Sequence, residues 1–293
     1  MRITNGIIQR SALANLQLNM RRILDAQEAS TTGKRIRAVS DDPIGASQVM
    51  QSDGSLRALD QYKRNVSSAT ARVGAEEGAL DSLTTILERA KELGITQAGS
   101  NAGSGTRQTT KAEVDQLIAA AVQVGNQKHE GEYLFGGVQS GTAPFTSNTP
   151  PFSAVPPTGA RRTEISQAQY LLTNHNGTEV FLDTNVLSAL NALSAALGAD
   201  DLTGIQNSLT ALDGAHDAVQ NLIGDVGARS SQLEVTGSNL TALDTQLRTF
   251  KSVLEDADME KAVTELVSRQ NTYQAAMLAT SRVMSLNLAD YLR

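Results

Sequence analysis

The side chains best suited to chemistry in this chain are three histidines and a few neighbouring carboxylates, and none is spaced for it. His129, His175 and His216 lie far apart. His129-Glu130-Gly131-Glu132 could bring metal-binding atoms together, but it lacks the second histidine four residues away that fixes zinc on one helix face. His175 sits in a turn and His216 replaces an apolar seam residue, so both read as local hydrogen-bonding groups. Asp41-Asp42 could pair as acid and base. Their setting, Ser40-Asp41-Asp42-Pro43, points instead to a helix start. Asp42 caps free backbone N–H groups and Pro43 takes the first helical position, where no donor is needed. Gly103-Ser104-Gly105 and Gly136-Gly137 lack the lysine and following helix of a phosphate loop and read as turns. With no Cys in 293 residues, a thiol nucleophile, a thiolate metal site and a disulfide are excluded. The sequence assigns no catalytic, cofactor-binding or metal-binding residue, and an enzyme is not expected.

Composition narrows the class further. The net charge of −6 is the wrong sign for a protein that grips nucleic acid by its backbone. No segment approaches the run of about 18 apolar residues that spans a bilayer, so no membrane insertion is expected. Arg10, Asn15, Gln17, Asn19 and Arg21 interrupt any apolar core of a secretory signal, so a secreted form would leave the cell without signal cleavage. Aromatics are only 3% and Trp is absent, so burial falls to Leu, Ile, Val, Met and Ala, the residues of helix seams. Residues 1–40 carry seven Lys/Arg against Asp25 and Glu28, whereas residues 255–293 carry six acids against four bases. Either this charge is scattered and solvated, or the two ends lie side by side.

The elements that would position these groups are mostly helical. Leu13, Leu16, Met20 and Ile23 recur at spacings of 3, 4 and 3 over a helix from about Leu13 to Ser30, and Gly33 suits its C-terminal cap. From Pro43 a stripe of Val49, Leu56, Leu59, Val66, Val73, Leu80, Leu83, Leu87 and Ala90 predicts a helix to about Ala98, roughly 80 Å long. Thr106 to about His129 forms a shorter one. Five of the six prolines and most of the aromatics fall between 131 and 183. Within that block Asn176-Gly177, flanked by Tyr170–Thr173 and Thr178–Leu182, is a hairpin signal. Ile205 to Leu254 resumes heptad spacing, with Leu243 and Phe250 shifting the seam to a neighbouring row. A last helix from Met259 to about Tyr291 carries Val263, Leu266, Tyr273, Met277 and Met284, widened by Val267, Leu288 and Leu292.

The expected architecture is mainly α: a long antiparallel helical rod or coiled-coil bundle with a small central β-rich insert. Residues 1–42 with 256–293 form a terminal helical assembly domain, 43–130 with 184–255 a helical rod domain, and 131–183 the insert. An isolated amphipathic helix of 20–30 residues is marginal in water. The terminal stripes therefore either complete a bundle within one molecule or are covered by neighbouring subunits. The assembly seam comprises Leu13, Leu16, Met20, Ile23, Val263, Leu266, Tyr273, Met277, Met284, Leu288 and Tyr291.

Several stretches resemble the flagellin superfamily. Ser30-Thr31-Thr32-Gly33-Lys34-Arg35-Ile36 followed by Ser40-Asp41-Asp42-Pro43 is similar to its N-terminal hallmark, and Glu77-Gly78-Ala79-Leu80 and Leu87–Leu93 to its first long helix. Met1-Arg2-Ile3-Thr4, Gly131-Glu132-Tyr133-Leu134-Phe135-Gly136-Gly137 and the tail from Tyr273-Gln274-Ala275-Ala276-Met277 to Leu292 resemble its hook–filament junction proteins. The resemblance covers residues 1–145 and about 220–293. It implies a structural subunit of the bacterial flagellum, extracellular, without cofactors, forming a homo-oligomeric ring. It further implies hook-associated protein 1 on one side, flagellin on the other, and export by the type III apparatus with a cytosolic chaperone. A flagellin filament subunit, a non-flagellar coiled-coil scaffold, and an enzyme carried by the insert are the alternatives.

Overall fold

A computed structural model describes residues 2–99, 103–153 and 155–291, with side chains described for residue 7 and, within those ranges, from 10 to 282. Its elements are α1 (Arg2–Thr32), α2 (Pro43–Gln97), α3 (Ser104–Gly125), β1 (Lys128–His129), β2 (Glu132–Tyr133), β3 (Arg162–Ser166), β4 (Gln169–Leu172), a π-helical turn (Thr178–Leu182), α4 (Val186–Gly198), α5 (Leu202–Glu255) and α6 (Met259–Tyr291). The chain is mainly α with two small antiparallel β-pairs, β1–β2 and β3–β4, as the sequence led one to expect. It divides into two compact units, a terminal one of Met1–Ala58 with Leu243–Arg293, and a middle one of Leu59–Ala242.

The middle unit holds most of the core. Here α2 and α5 run antiparallel. Val66 lies beside Gly237, Lys91 pairs with Asp213, and Gly94 lies under Leu209, so contacts advance along one helix as they retreat along the other. The predicted stripe is the buried one: Val73, Leu80, Leu83, Leu87 and Ala90 face inward, with Ile205, Leu212, Val219, Val226 and Leu233 from α5. Each fully buried leucine contributes about 2 kcal/mol. Helix α3 packs on α4, and Phe181 meets Phe135 and Phe145 edge-on, with ring centroids 5.4 and 5.0 Å apart. Gly125 ends α3 where it must, because a Cβ there would come within 2.6 Å of Phe145.

Several expectations need correction. Helix α1 begins at Arg2, well before Leu13, and α3 stops at Gly125 rather than His129. Lys128–His129 instead pairs with Glu132–Tyr133. The tight turn uses positive φ at Glu130 (52°) and Gly131 (85°), which matches strand twist. The hairpin signal at Asn176-Gly177 was misplaced: β4 pairs backward with β3, and Asn176 starts a helical turn. Its Oδ1 accepts from the Glu179 N–H at 3.0 Å while Glu179 Oε2 accepts from the Asn176 N–H at 3.1 Å. This reciprocal capping box turns Asn-Gly-Thr-Glu from hairpin to helix start. Thr178–Gly198 is, among the described residues, the one stretch long and apolar enough by length and composition to cross a membrane. Polar residues hide it from a search for unbroken apolar runs, and most of it is core: Val180, Phe181, Val186, Leu187, Leu190, Leu193 and Leu197 are all fully buried.

The expected phase shift on α5 also fails. Leu243 and Phe250 stay exposed, and the inward row continues through Asp244, Leu247 and Lys251. Lys251 reaches Asp53 on α2 at 2.6 Å, so ion pairing replaces apolar packing at this level. Truncation should separate the two kinds of leucine. Leu83→Ala is expected to cost 2–5 kcal/mol of stability in urea denaturation, and Leu243→Ala about 0.5 kcal/mol or less.

Candidate functional site

The terminal unit, Met1–Ala58 with Leu243–Arg293, has the opposite distribution of apolar surface. Of the exposed large apolar side chains among the described residues, sixteen lie in this unit and six in the other. Of the buried apolar ones, five lie here (Ile36, Ala46, Val49, Leu56 and Ala262) and thirty-six in the other. Exposed apolar surface of this extent is unusual on a folded unit.

That surface is set by α1 and α6. The end of α1 meets the start of α6, where the Ala257 N–H donates to the Gly33 carbonyl at 2.8 Å, and the two helices pack antiparallel. Their contact row on α1 is Ala12, Leu16, Asn19, Ile23, Ala26 and Ser30; on α6 it is Ala262, Leu266, Arg269, Tyr273, Ala276 and Thr280. Both repeat at 4 and 3, a coiled-coil seam with small residues toward its two ends, Ala12, Ala26 and Ser30 on α1 and Ala262, Ala276 and Thr280 on α6. Of the residues singled out from sequence, Leu16, Ile23, Leu266 and Tyr273 therefore face the partner helix. Leu13, Met20, Val263 and Met277 do not: they are 46–52% exposed. The side chains of Met284, Leu288 and Tyr291 lie outside the described residues.

The α1–α6 layer has two unlike sides. Arg22 of α1 and Lys261, Thr264, Glu265, Ser268 and Thr272 of α6 line one polar groove of about 620 Å³. On each helix the flank away from this groove carries a second heptad row. Leu13, Met20 and Leu24 form it on α1, and Val263, Val267 and Met277 on α6, all exposed. Sequence inspection merged the inner and outer rows of α1 into one stripe. Only part of the inner row of α1 was missed, Ala12, Asn19 and Ala26, because small or polar residues occupy those positions although their heptad spacing was legible.

Where α1 gives way to α2 and α5 to α6, the two connections are stapled together. The Arg35 N–H donates to the Glu255 carbonyl at 2.7 Å, and Lys34 and Asp256 form an antiparallel bridge. The Glu255 carboxylate, largely buried, pairs with Lys34 and lies 3.4 Å from Lys251. Asp53 holds the Lys251 ammonium above the usual lysine range, first through its hydrogen bond. Gly33, at φ +69°, ends α1 in the left-handed conformation and its N–H donates to the Ala29 carbonyl. Asp42 Oδ1 accepts from the Gly45 N–H at 2.9 Å and Pro43 opens α2. Asp41 does separate work: its Oδ2 accepts from the Ala38 and Arg37 N–H groups, which hold its carboxyl below the usual range.

The histidines have structural settings. His175 is buried, and its backbone N–H and Nδ1 both contact Glu76 Oε1, at 3.0 and 2.6 Å. Its Nε2 lies 3.0 Å from both Asp225 and Arg229. It is thus no local turn residue but a tie from its loop to both long helices, invisible in sequence because Glu76 lies 99 residues away. His216 is half-buried, 3.8 Å from Glu88. Among the described residues no three His, Asp or Glu side chains are grouped to hold a metal ion. Removing the Glu255 carboxylate takes the ion-pair partner from half-exposed Lys34 and leaves Lys251 with Asp53 alone. Glu255→Ala is therefore expected to cost about 1.5–3 kcal/mol in urea denaturation followed by circular dichroism, with Lys261→Ala, on the exposed rim, close to neutral.

The chain is similar to known proteins over most of its length. Family models for the bacterial flagellin N-terminal and C-terminal helical regions match residues 3–140 and 209–292. The flagellar hook-associated protein 3 of Escherichia coli is 24% identical, the match covering 93% of this chain and 96% of that protein. A flagellin of Halalkalibacterium halodurans is 26% identical, over 94% of each. The crystal structure of Bacillus cereus FlgL superposes with a TM-score of 0.61 at 20% identity, covering 69% of this chain and 99% of that one. With both terminal helical regions matched and the relatives spanned nearly end to end, the chain belongs to the bacterial flagellin family, as a structural protein of the flagellum.

Proposed function

We propose that this protein is the junction subunit between hook and filament, assembling as a ring through its terminal helices. The observation that carries the reading is the exposed apolar flank of the α1–α6 layer, Leu13, Met20, Leu24, Val263, Val267 and Met277. These six side chains are about half exposed, so covering them is worth on the order of 5 kcal/mol in gross terms, part of what association needs to offset its entropic cost. Neighbouring copies supply the cover, and the seam residues including Met284, Leu288 and Tyr291 complete it. In this reading hook-associated protein 1 lies on one side of the ring and flagellin on the other. The subunit leaves the cell through the type III export apparatus, without signal cleavage and guarded by a cytosolic chaperone. The similarity to a hook-associated protein 3 and the tail from Tyr273 to Leu292 favour the junction over the bulk filament.

A second reading, a filament subunit, is favoured by the equally extensive similarity to a flagellin. Seeding filament fragments with purified protein separates the two: a junction subunit caps the fragments without growth, and a filament subunit extends them. Deleting residues 274–293 is expected to leave a soluble, helical protein that no longer sediments as an assembly. A truncated protein that still supports filament growth contradicts the role of the terminal helices.

A further inference from the structure

The middle unit holds a polar cleft that assembly through the terminal helices does not use. It lies where α2 meets both β-pairs and has a volume of about 250 Å³. Arg72 of α2, His129 of β1, Glu132 of β2, Arg161 and Thr163 around the start of β3, and Thr173 just past β4 contribute to its lining. Arg72 is the unusual member. Its side chain is only 7% exposed, and its charge is poorly matched. Nη2 donates to the Leu134 carbonyl at 3.0 Å, and Nη1 lies 3.9 Å from Glu132, whose carboxylate pairs with Arg161. Glu76, the buried carboxylate nearby, is engaged by His175, and Glu130 is exposed. Two guanidinium groups therefore share one carboxylate. Burial, and then the Arg161 charge, pull the Arg72 guanidinium below the usual arginine range.

The hydrogen bonds show the same shortfall. Among the described residues the buried Arg72 Nε–H has no partner, and neither has the buried Nε2 of His129. Asn174 adds a third such nitrogen: its Nδ2 is unpartnered while its Oδ1 accepts from the Arg161 N–H at 2.7 Å. Arginine Nε and an amide nitrogen can only donate, so what is missing is an acceptor. Water, at about 30 Å³ a molecule, fits the space and the donors but brings no charge to a buried cation. An oxyanion brings both, and a guanidinium fork matches its geometry. The geometry points to a site for one small oxyanion, a phosphate or a carboxylate, held by Arg72 from inside and by half-exposed Arg161 from the rim, with His129 as a further donor. Glu132 is its built-in competitor. Because the lining comes from α2 and both β-pairs, the bound anion ties the insert to the long helix. None of these residues belongs to the terminal helices, so this site and the assembly reading stand or fall separately.

The test is isothermal titration of the full-length protein with sodium phosphate and, separately, with sodium acetate at fixed ionic strength. Saturable heat from either is expected, and which anion gives it tells a phosphate site from a carboxylate one. Arg161→Ala removes only a half-exposed ion pair, so folding is spared, while binding is expected to weaken about tenfold with the loss of a charge-assisted bond. Glu132→Gln removes the competitor and is expected to tighten binding severalfold. Adding the anion should also shift the Arg72 Nε–H resonance in a nitrogen–proton NMR spectrum. Arg57→Ala, exposed and outside the cleft, is the control and should bind as the parent does. The absence of saturable heat with both anions overturns the proposal and leaves a cleft for water only. Binding that Arg161→Ala and Glu132→Gln both leave unchanged also overturns it, because the anion then sits elsewhere on the chain.

Discussion

Water is a poor neighbour for the α1–α6 layer, and that imbalance governs how the rest of the protein can be understood. Each of these helices carries two heptad rows. One row faces the other helix; the second is exposed among the described residues. Two-helix layers bury too little surface to stand alone. The middle unit shows the contrast, since its leucines and phenylalanines are almost all inside. The described residues thus form one unit with its apolar side chains buried and another that leaves most of its large ones exposed.

The staple at Gly33–Arg35 and Glu255–Ala257 gives that division mechanical meaning. It holds the start of α6 to the end of α1, so the two helices stand as one layer rather than as two separate arms. The pairing of Lys34, Glu255, Lys251 and Asp53 places charge where the apolar seam between α2 and α5 gives out. Ion pairs of this kind add little net stability but fix register, because a slip of one residue would strand a largely buried carboxylate.

Much of the fold was legible in the sequence, and the reason is periodicity. The long helices, the break before α5 and the pause before α6 all follow from apolar spacing with Gly and Pro as punctuation. The β insert was recognisable as a change of texture, but its pairing was not. Asn176-Gly177 is a strong hairpin signal taken alone, and only the reciprocal bond with Glu179 and the burial of Val180 and Phe181 decide for a helical turn. Leu243 and Phe250 looked like a shifted seam because spacing cannot say which of two rows faces inward. His175 and Glu76, 99 residues apart, have no local signal at all. At the terminal helices the sequence indicated surplus apolar surface, while the sorting of Leu16 inward and Leu13 outward needed the packed pair.

The central claim is that the terminal helices are completed by neighbours, and amide hydrogen exchange measures this directly. In the monomeric full-length chain, amides around residues 13–24 and 263–277 are expected to exchange far faster than those around residues 80–90, and to become protected once the protein is assembled. Equal and strong protection of all three regions in the monomer would contradict the account.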